Sequence, residues 1–196
     1  MTNNKAKKSK ILALILGLTM CLALMLGIAM ASPTSTVYAE GATFEYIEIN
    51  GDTDVMSTDG TYTYTKSNKT LILNNYNGGQ FLLNDDATIV LQGNNTITVD
   101  KTSKTFGSSS DPYYAGIDSV GAITITGNKG SLAINVETSD VAESCYGISA
   151  DKGMTINDGN ISININSFYD KSSIGLLSSE GSIKVEGSAT LDIKAK

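Results

Sequence analysis

The side chains available for chemistry in this chain are carboxylates, lysines, tyrosines and two cysteines, because His and Trp are absent and all 14 basic residues are Lys. Histidine-activated nucleophiles, histidine-ligated zinc and arginine clamps are therefore excluded. The adjacent acids Asp85 and Asp86 suggest a glycosidase pair at first sight. Neighbouring residues on a strand point to opposite faces, so the two cannot flank one bond, and they read instead as turn residues. Hydrolysis or elimination by carboxylates is the weakest of the functional readings.

Two further groups of acids deserve weighing. The first lies in three polar segments, "DKTSKTFGSSSDPYY" (100–114), "NVETSDVAESC" (135–145) and "NINSFYDKSS" (164–173), which carry Asp100, Asp111, Glu137, Asp140, Glu143 and Asp170. Tyr113, Tyr114, Tyr146 and Tyr169 stand beside them. Carboxylates that accept bonds from hydroxyls, next to flat aromatic faces that cover the apolar side of a sugar ring, suit a glycan surface. Asp111, Tyr113, Tyr114, Asp140, Glu143, Tyr146, Tyr169 and Asp170 are thus the carbohydrate-binding candidates. The plain alternative is a set of solvated loops whose tyrosines shield a sheet edge.

The second group is Asp118, Asp151 and Glu180, which precede equivalent glycines by three, two and one residues. Stacked, they would repel one another unless a cation or Lys152 intervened, and calcium suits oxygen-only ligands. The unequal offsets, and the lack of the glycine-aspartate nonapeptide spacing, favour ordinary turn acids as the alternative.

What would position these residues is a repeat. Three segments align on their glycines: "AGIDSVGAITITGNKGSLAI" (115–134), "YGISADKGMTINDGNISI" (146–163) and "IGLLSSEGSIKVEGSATLDI" (174–193). Gly116, Gly147 and Gly175 open them, Gly121, Gly153 and Gly181 mark a first corner, and Gly127, Gly159 and Gly187 mark a second. The period is 28 to 32 residues. Apolar and polar residues alternate between corners, the two-residue period of a strand with one buried face.

The apolar positions fall into five columns: Ile117, Ile148, Leu176; Ile123, Met154, Ile183; Ile125, Ile156, Val185; Leu132, Ile161, Leu191; and Ile134, Ile163, Ile193. Such columns predict an all-β, right-handed parallel β-helix of about five coils, with equivalent side chains stacked ~4.8 Å apart. The glycines are then expected at sharp turns between sheets, often with positive φ.

A looser fourth copy, "ATIVLQGNNTITV" (87–99), precedes these, and "TYTYTKSNKTLILNNY" (61–76) is expected to form an N-terminal coil and cap. "FEYIEING" (44–51) is expected to cover the first coil. The competing fold is an antiparallel sandwich of short strands with glycine-rich turns, which explains alternation but not aligned columns. The three polar segments should then emerge along one edge, as one-sided insertions in repeat proteins often do.

The N-terminus reads as a leader. Basic "KAKKSK" is followed by the apolar run 11–31 and then "SPTSTVYAE", so Val37 and Ala39 predict signal-peptide cleavage before Glu40. A retained membrane anchor is the competing reading, because the run is long enough to span a bilayer. Lipidation at Cys21 is disfavoured, since Met20 stands where a small residue is wanted. The organisation expected is a signal peptide over 1–39, a cap and first coil over 40–80, and β-helix repeats over 81–196.

The mature chain would carry 10 lysines against 20 acids, which argues against a nucleic-acid partner. It would hold Cys145 alone and so form no intrachain disulfide. An open coil end would be a row of unpaired strands, a pairing hazard that Lys194 and Lys196 blunt or that a second copy covers.

The segments "YGI", "ITITG" and "GSLAI", preceded by "NKTLILNNYNGG" and "IVLQGNNTI", resemble secreted bacterial β-helix proteins with carbohydrate-binding domains, distant fold relatives of the pectate lyases. The resemblance spans roughly residues 62–193. It implies binding to plant or cell-wall polysaccharides, with calcium associated with the β-helix. The lyase relatives use an Arg base, which this chain lacks, so the resemblance implies binding without catalysis.

The leading expectation is therefore a secreted, cell-wall-associated, non-catalytic polysaccharide-binding protein. The alternative is a surface structural or adhesive module that binds protein or self-associates through its open coil ends.

Overall fold

The computed structural model describes residues 46–127, 129–138, 143–167 and 172–196. The predicted leader, Phe44, Asp140, Tyr169 and Asp170 lie outside the described residues. The fold is all-β, with parallel sheets of the solenoid-like kind that the repeat predicts.

In chain order the strands are β1 (Ile47–Ile49), β2 (Val55–Met56) and β3 (Tyr62–Thr65), followed by a 3-10 turn at Lys66–Asn68. Next come β4 (Thr70–Asn74), β5 (Asn77–Gly78), β6 (Phe81–Leu83), β7 (Ala87–Gln92) and β8 (Asn94–Asp100). β9 (Phe106–Ser108) leads into β10 (Asp111–Ser119), β11 (Ile123–Thr126) and β12 (Ser131–Thr138). The last are β13 (Ser144–Ala150), β14 (Met154–Ile156), β15 (Asn160–Ser167), β16 (Ser173–Ser178), β17 (Ile183–Val185) and β18 (Thr190–Ala195).

These strands fall into three sheets. The first runs β1-β6-β10-β13-β16, the second β17-β14-β11-β7-β4-β3-β2, and the third β18-β15-β12-β8-β5. From β4 onward the chain visits the second, third and first sheets in turn, with β9 as a short antiparallel addition to β10. Pairings between successive repeats are parallel, which removes the antiparallel sandwich. Antiparallel pairs occur at β2–β3–β4 and β9–β10.

All five predicted columns are in register. Ile117 pairs with Ile148 and Ile148 with Leu176, and Ile123, Met154 and Ile183 form a second row. The rows through Ile125, Leu132 and Ile134 likewise align residue for residue. Their inner members are fully buried, so each Ile contributes about 1.5–3 kcal/mol of transfer free energy.

The looser fourth copy joins the same rows, with Ile89 against Ile125 and Ile97 against Ile134. It departs at Asn95, which stands opposite Leu132. Buried Asn95 accepts from the Tyr76 amide at 2.9 Å and donates to the Ser131 carbonyl at 3.0 Å, so it satisfies backbone groups at a corner.

The glycines do two different jobs. Gly127, Gly159 and Gly187 have φ of 148°, 98° and 62°, as expected of corners. Gly116, Gly147 and Gly175 lie inside β10, β13 and β16 and not at turns, which corrects the expectation for them. A Cβ at Gly147 would collide with Ile163 Cγ2 and lie 2.5 Å from the Gly175 carbonyl oxygen. Gly116 and Gly175 meet Ile134 and Ile193 in the same way. The repeated glycine exists because an isoleucine of the third sheet presses against the first.

At the N-terminal end β3 and β2 continue the second sheet in antiparallel sense, and Tyr64 is 1% exposed there. β1 lies in parallel against β6, at the edge of the first sheet.

Candidate functional site

Each predicted polar segment connects a third-sheet strand to a first-sheet strand, as the one-edge expectation requires. The one between β8 and β10 is described throughout and is anchored by a residue that sequence reasoning missed. Gln80 is 0% exposed; its Nε2 donates to the Lys104 carbonyl at 2.9 Å and to the Ala115 carbonyl at 2.8 Å. Its Oε1 accepts from the Lys104 amide at 2.9 Å. The two bonds to Lys104 tie the segment to the start of β6, and the third links Gln80 to β10 within the first sheet.

The segment opens on a local turn, in which Asp100 accepts from the Thr102 amide at 2.8 Å and the Thr102 hydroxyl at 2.6 Å. It closes as the β9–β10 pair, with Phe106 opposite Tyr113. Gly107, at φ 82°, gives the Tyr113 ring room, since a Cβ would stand 2.8 Å from Tyr113 Cε1.

The result is a continuous row of rings beside the first sheet. Tyr46 packs edge-on against Phe106 with centroids 6.2 Å apart, Phe106 lies 6.0 Å from Tyr113, and Tyr113 lies 5.0 Å from Tyr146. Lys104 Nζ stands 3.8 Å above the Tyr46 ring, a cation–π contact. Tyr46, Tyr113 and Tyr146 are partly exposed, whereas Phe106 is buried.

The row meets a carboxylate. The Tyr113 hydroxyl lies 3.1 Å from both Asp118 oxygens and donates to that carboxylate. Asp118 is 8% exposed. Burial pushes its carboxyl above the usual range, Ser149 and Tyr113 pull it down by hydrogen bonding, and the charge of Asp151 adds to the rise. Burial, and then the Asp118 charge, push the Tyr113 phenol far above its usual range, so it stays a hydrogen-bond donor.

The structure therefore merges the two groups of residues that the sequence kept apart: Tyr113 and Tyr146 from the polar segments, and Asp118 from the corner. The other candidates disperse. Tyr114 is 4% exposed and packs in the core, and burial pushes its phenol up. Asp111 begins β10 on the surface, where its amide donates to Ser108 Oγ at 3.2 Å. Glu143 is half-buried, with an Oε2 atom that meets no hydrogen-bond partner among the described residues. Asp140, Tyr169 and Asp170 lie outside the described residues.

At the corner, Asp151 accepts from the Ser179 hydroxyl at 3.2 Å and Glu180 is exposed. Among the described residues no three His, Cys, Asp or Glu side chains gather to hold a metal ion. Asp118 is occupied by Tyr113, so Asp118, Asp151 and Glu180 do not fit a shared calcium site. Asp85 and Asp86 sit in the turn between β6 and β7, where Asp85 pairs with Lys69 at 2.8 Å.

An open polar cleft of about 310 Å³ lies elsewhere, between Lys69, Asp86, Thr88 and Thr124 on the second sheet. It contains no aromatic ring.

Compared with known proteins, the chain matches no family model, no curated relative and no solved structure.

Proposed function

We propose that this chain is an exported, non-catalytic polysaccharide-binding protein built on a right-handed parallel β-helix of about five coils. The cyclic order of the three sheets supports the helix, and the strong right-handed preference of parallel crossovers supports its hand. The N-terminal basic and apolar segment supports export.

The observation that carries the binding reading is the ring row from Tyr46 through Phe106 and Tyr113 to Tyr146, flanked by Lys104 and Asp118. Partly exposed rings offer apolar area to one side of a pyranose, the bordering Lys104 ammonium donates to its hydroxyls, and buried Asp118 holds the Tyr113 ring in place. Sugar units laid along the row would bind the protein as a chain does a groove, without bond cleavage. A polymer of neutral or weakly basic character fits best, given the excess of acids. The resemblance to carbohydrate-binding β-helix proteins points the same way.

The test is retention of the protein on a panel of soluble and insoluble polysaccharides, with calcium added and with calcium chelated. Retention on at least one member, largely independent of calcium, is expected. Absence of retention on every member would overturn the reading, and binding seen only with calcium would overturn the direct mode of recognition.

A further inference from the structure

The C-terminal strands form a second surface, unrelated to the ring row. β16, β17 and β18 are the outermost strands of their sheets, each paired on one side. The apolar columns they complete are left open: Ile183 is 41% exposed, Val185 47% and Ile193 40%, against 0–2% for the residues they stack on.

We propose that this edge joins a second copy of the chain, tail to tail, by antiparallel pairing of β18 with β18 about a two-fold axis. The backbone sets the register. The Thr190 amide donates to the Gly159 carbonyl, the Lys196 amide donates to the Ile165 carbonyl, and the Lys196 carbonyl accepts from Ser167. Residues at 190, 192, 194 and 196 therefore spend their backbone groups on β15, and by alternation Leu191, Ile193 and Ala195 turn theirs to the free edge.

In an antiparallel pair centred on Ile193, that residue exchanges both hydrogen bonds with its own copy, and Leu191 does so with Ala195 of the other chain. The same register sets Asp192 opposite Lys194 of the other chain, twice, in the closer non-hydrogen-bonded pairs. Asp192 and Lys194 already pair within one strand at 3.0 Å. The assembled four charges alternate in sign around a square, so the edge is complementary to itself in charge as well as in hydrogen bonding. The two-fold axis through the third sheet then brings β16 of each copy against β17 of the other, covering Ile183 and Val185.

At the opposite end the second sheet finishes in the antiparallel strands β3 and β2, so the described edge there does not repeat that of β16, β17 and β18. A closed dimer follows, and not a filament.

Sedimentation equilibrium of the full chain, in a non-ionic detergent that solvates the apolar leader, tests this together with Asp192→Lys, Lys194→Asp and the double exchange. The wild type is expected to dimerise at about 1–100 µM. Each single reversal puts like charges opposite each other at both sites and weakens dimerisation about 10- to 100-fold, and the double exchange restores it to within about 3-fold. Circular dichroism and cooperative urea unfolding confirm that each variant folds.

A monomer at every concentration, single reversals without effect, a double exchange no better than the singles, or open-ended assembly would each overturn the proposal. The first outcome would assign the edge to a different strand-bearing partner.

Discussion

Gln80 joins the scaffold to the proposed binding surface, and replacing it separates the two. Gln80→Leu keeps the volume and removes three hydrogen bonds of 2.8–2.9 Å, two donated by Nε2 and one accepted by Oε1. At about 1 kcal/mol net for each bond, the expected loss is about 3 kcal/mol.

Gln80→Glu is the sharper variant. Its carboxyl would face the Lys104 and Ala115 carbonyls in a site with no exposure, so the neutral, donating form is favoured and its folded-state pKa is raised. A raised acid pKa gives stability that is present below the unfolded value of about 4.3 and lost as pH rises through the folded value. Urea unfolding should therefore place Gln80→Glu nearest the wild type at low pH and progressively below it toward neutral pH. In Gln80→Leu the Lys104 amide should also lose hydrogen-exchange protection, and the segment between β8 and β10 should become sensitive to protease. A Gln80→Leu protein within 0.5 kcal/mol of wild type, with Lys104 still protected, would refute the latch.

Other consequences follow from the same geometry. Gly147→Ala should cost at least about 1–3 kcal/mol by overpacking, read as a lower urea midpoint with unchanged slope, because Ile163 and the Gly175 carbonyl fill the space a Cβ would need. Ile148→Ala, at a fully buried position between Ile117 and Leu176, should cost about 2–5 kcal/mol by the same assay. Asp118→Asn should remove a pH dependence: the raised folded pKa of Asp118 makes wild-type stability fall as pH rises from about 3.9 through that value. The stability difference, wild type minus variant, should therefore decline across that window and be flat outside it. A difference that rises with pH would contradict the assignment.

The repeat was legible because its signal is redundant. Five apolar columns and three glycine series each specify the same register, and a shift by one residue would turn every row to the wrong face. The role of the opening glycines was not legible: sequence shows that a small residue recurs at 116, 147 and 175, but not that Ile134, Ile163 and Ile193 occupy the space beside it.

The site was half legible. Tyr113, Tyr146 and Asp118 were identifiable by type, yet their meeting depends on how β10 leaves its pairing with β9, a local geometry with no periodic signature. Tyr114 differs from Tyr113 only in which way a strand residue points, and the alternation beside Gly116 does not settle that from spacing alone. Gln80 is a lone polar residue between "NGG" and "FLL", so its three partners emerge only once the segment between β8 and β10 is folded over it. Phe106 and Lys104 gave no signal beyond their presence in a polar segment.

The most direct test of the central claim is affinity electrophoresis through gels containing the polysaccharide that retains the wild type best, comparing Tyr146→Ala with Thr124→Ala. Tyr146 ends the ring row, whereas Thr124 lines the ring-free cleft on the second sheet. Loss of about 1.4 kcal/mol of stacking, a tenfold weaker retention, is predicted for Tyr146→Ala, with Thr124→Ala unchanged. Equal retention of Tyr146→Ala and wild type, or a larger loss in Thr124→Ala, would contradict the placement of the sugar on the ring row.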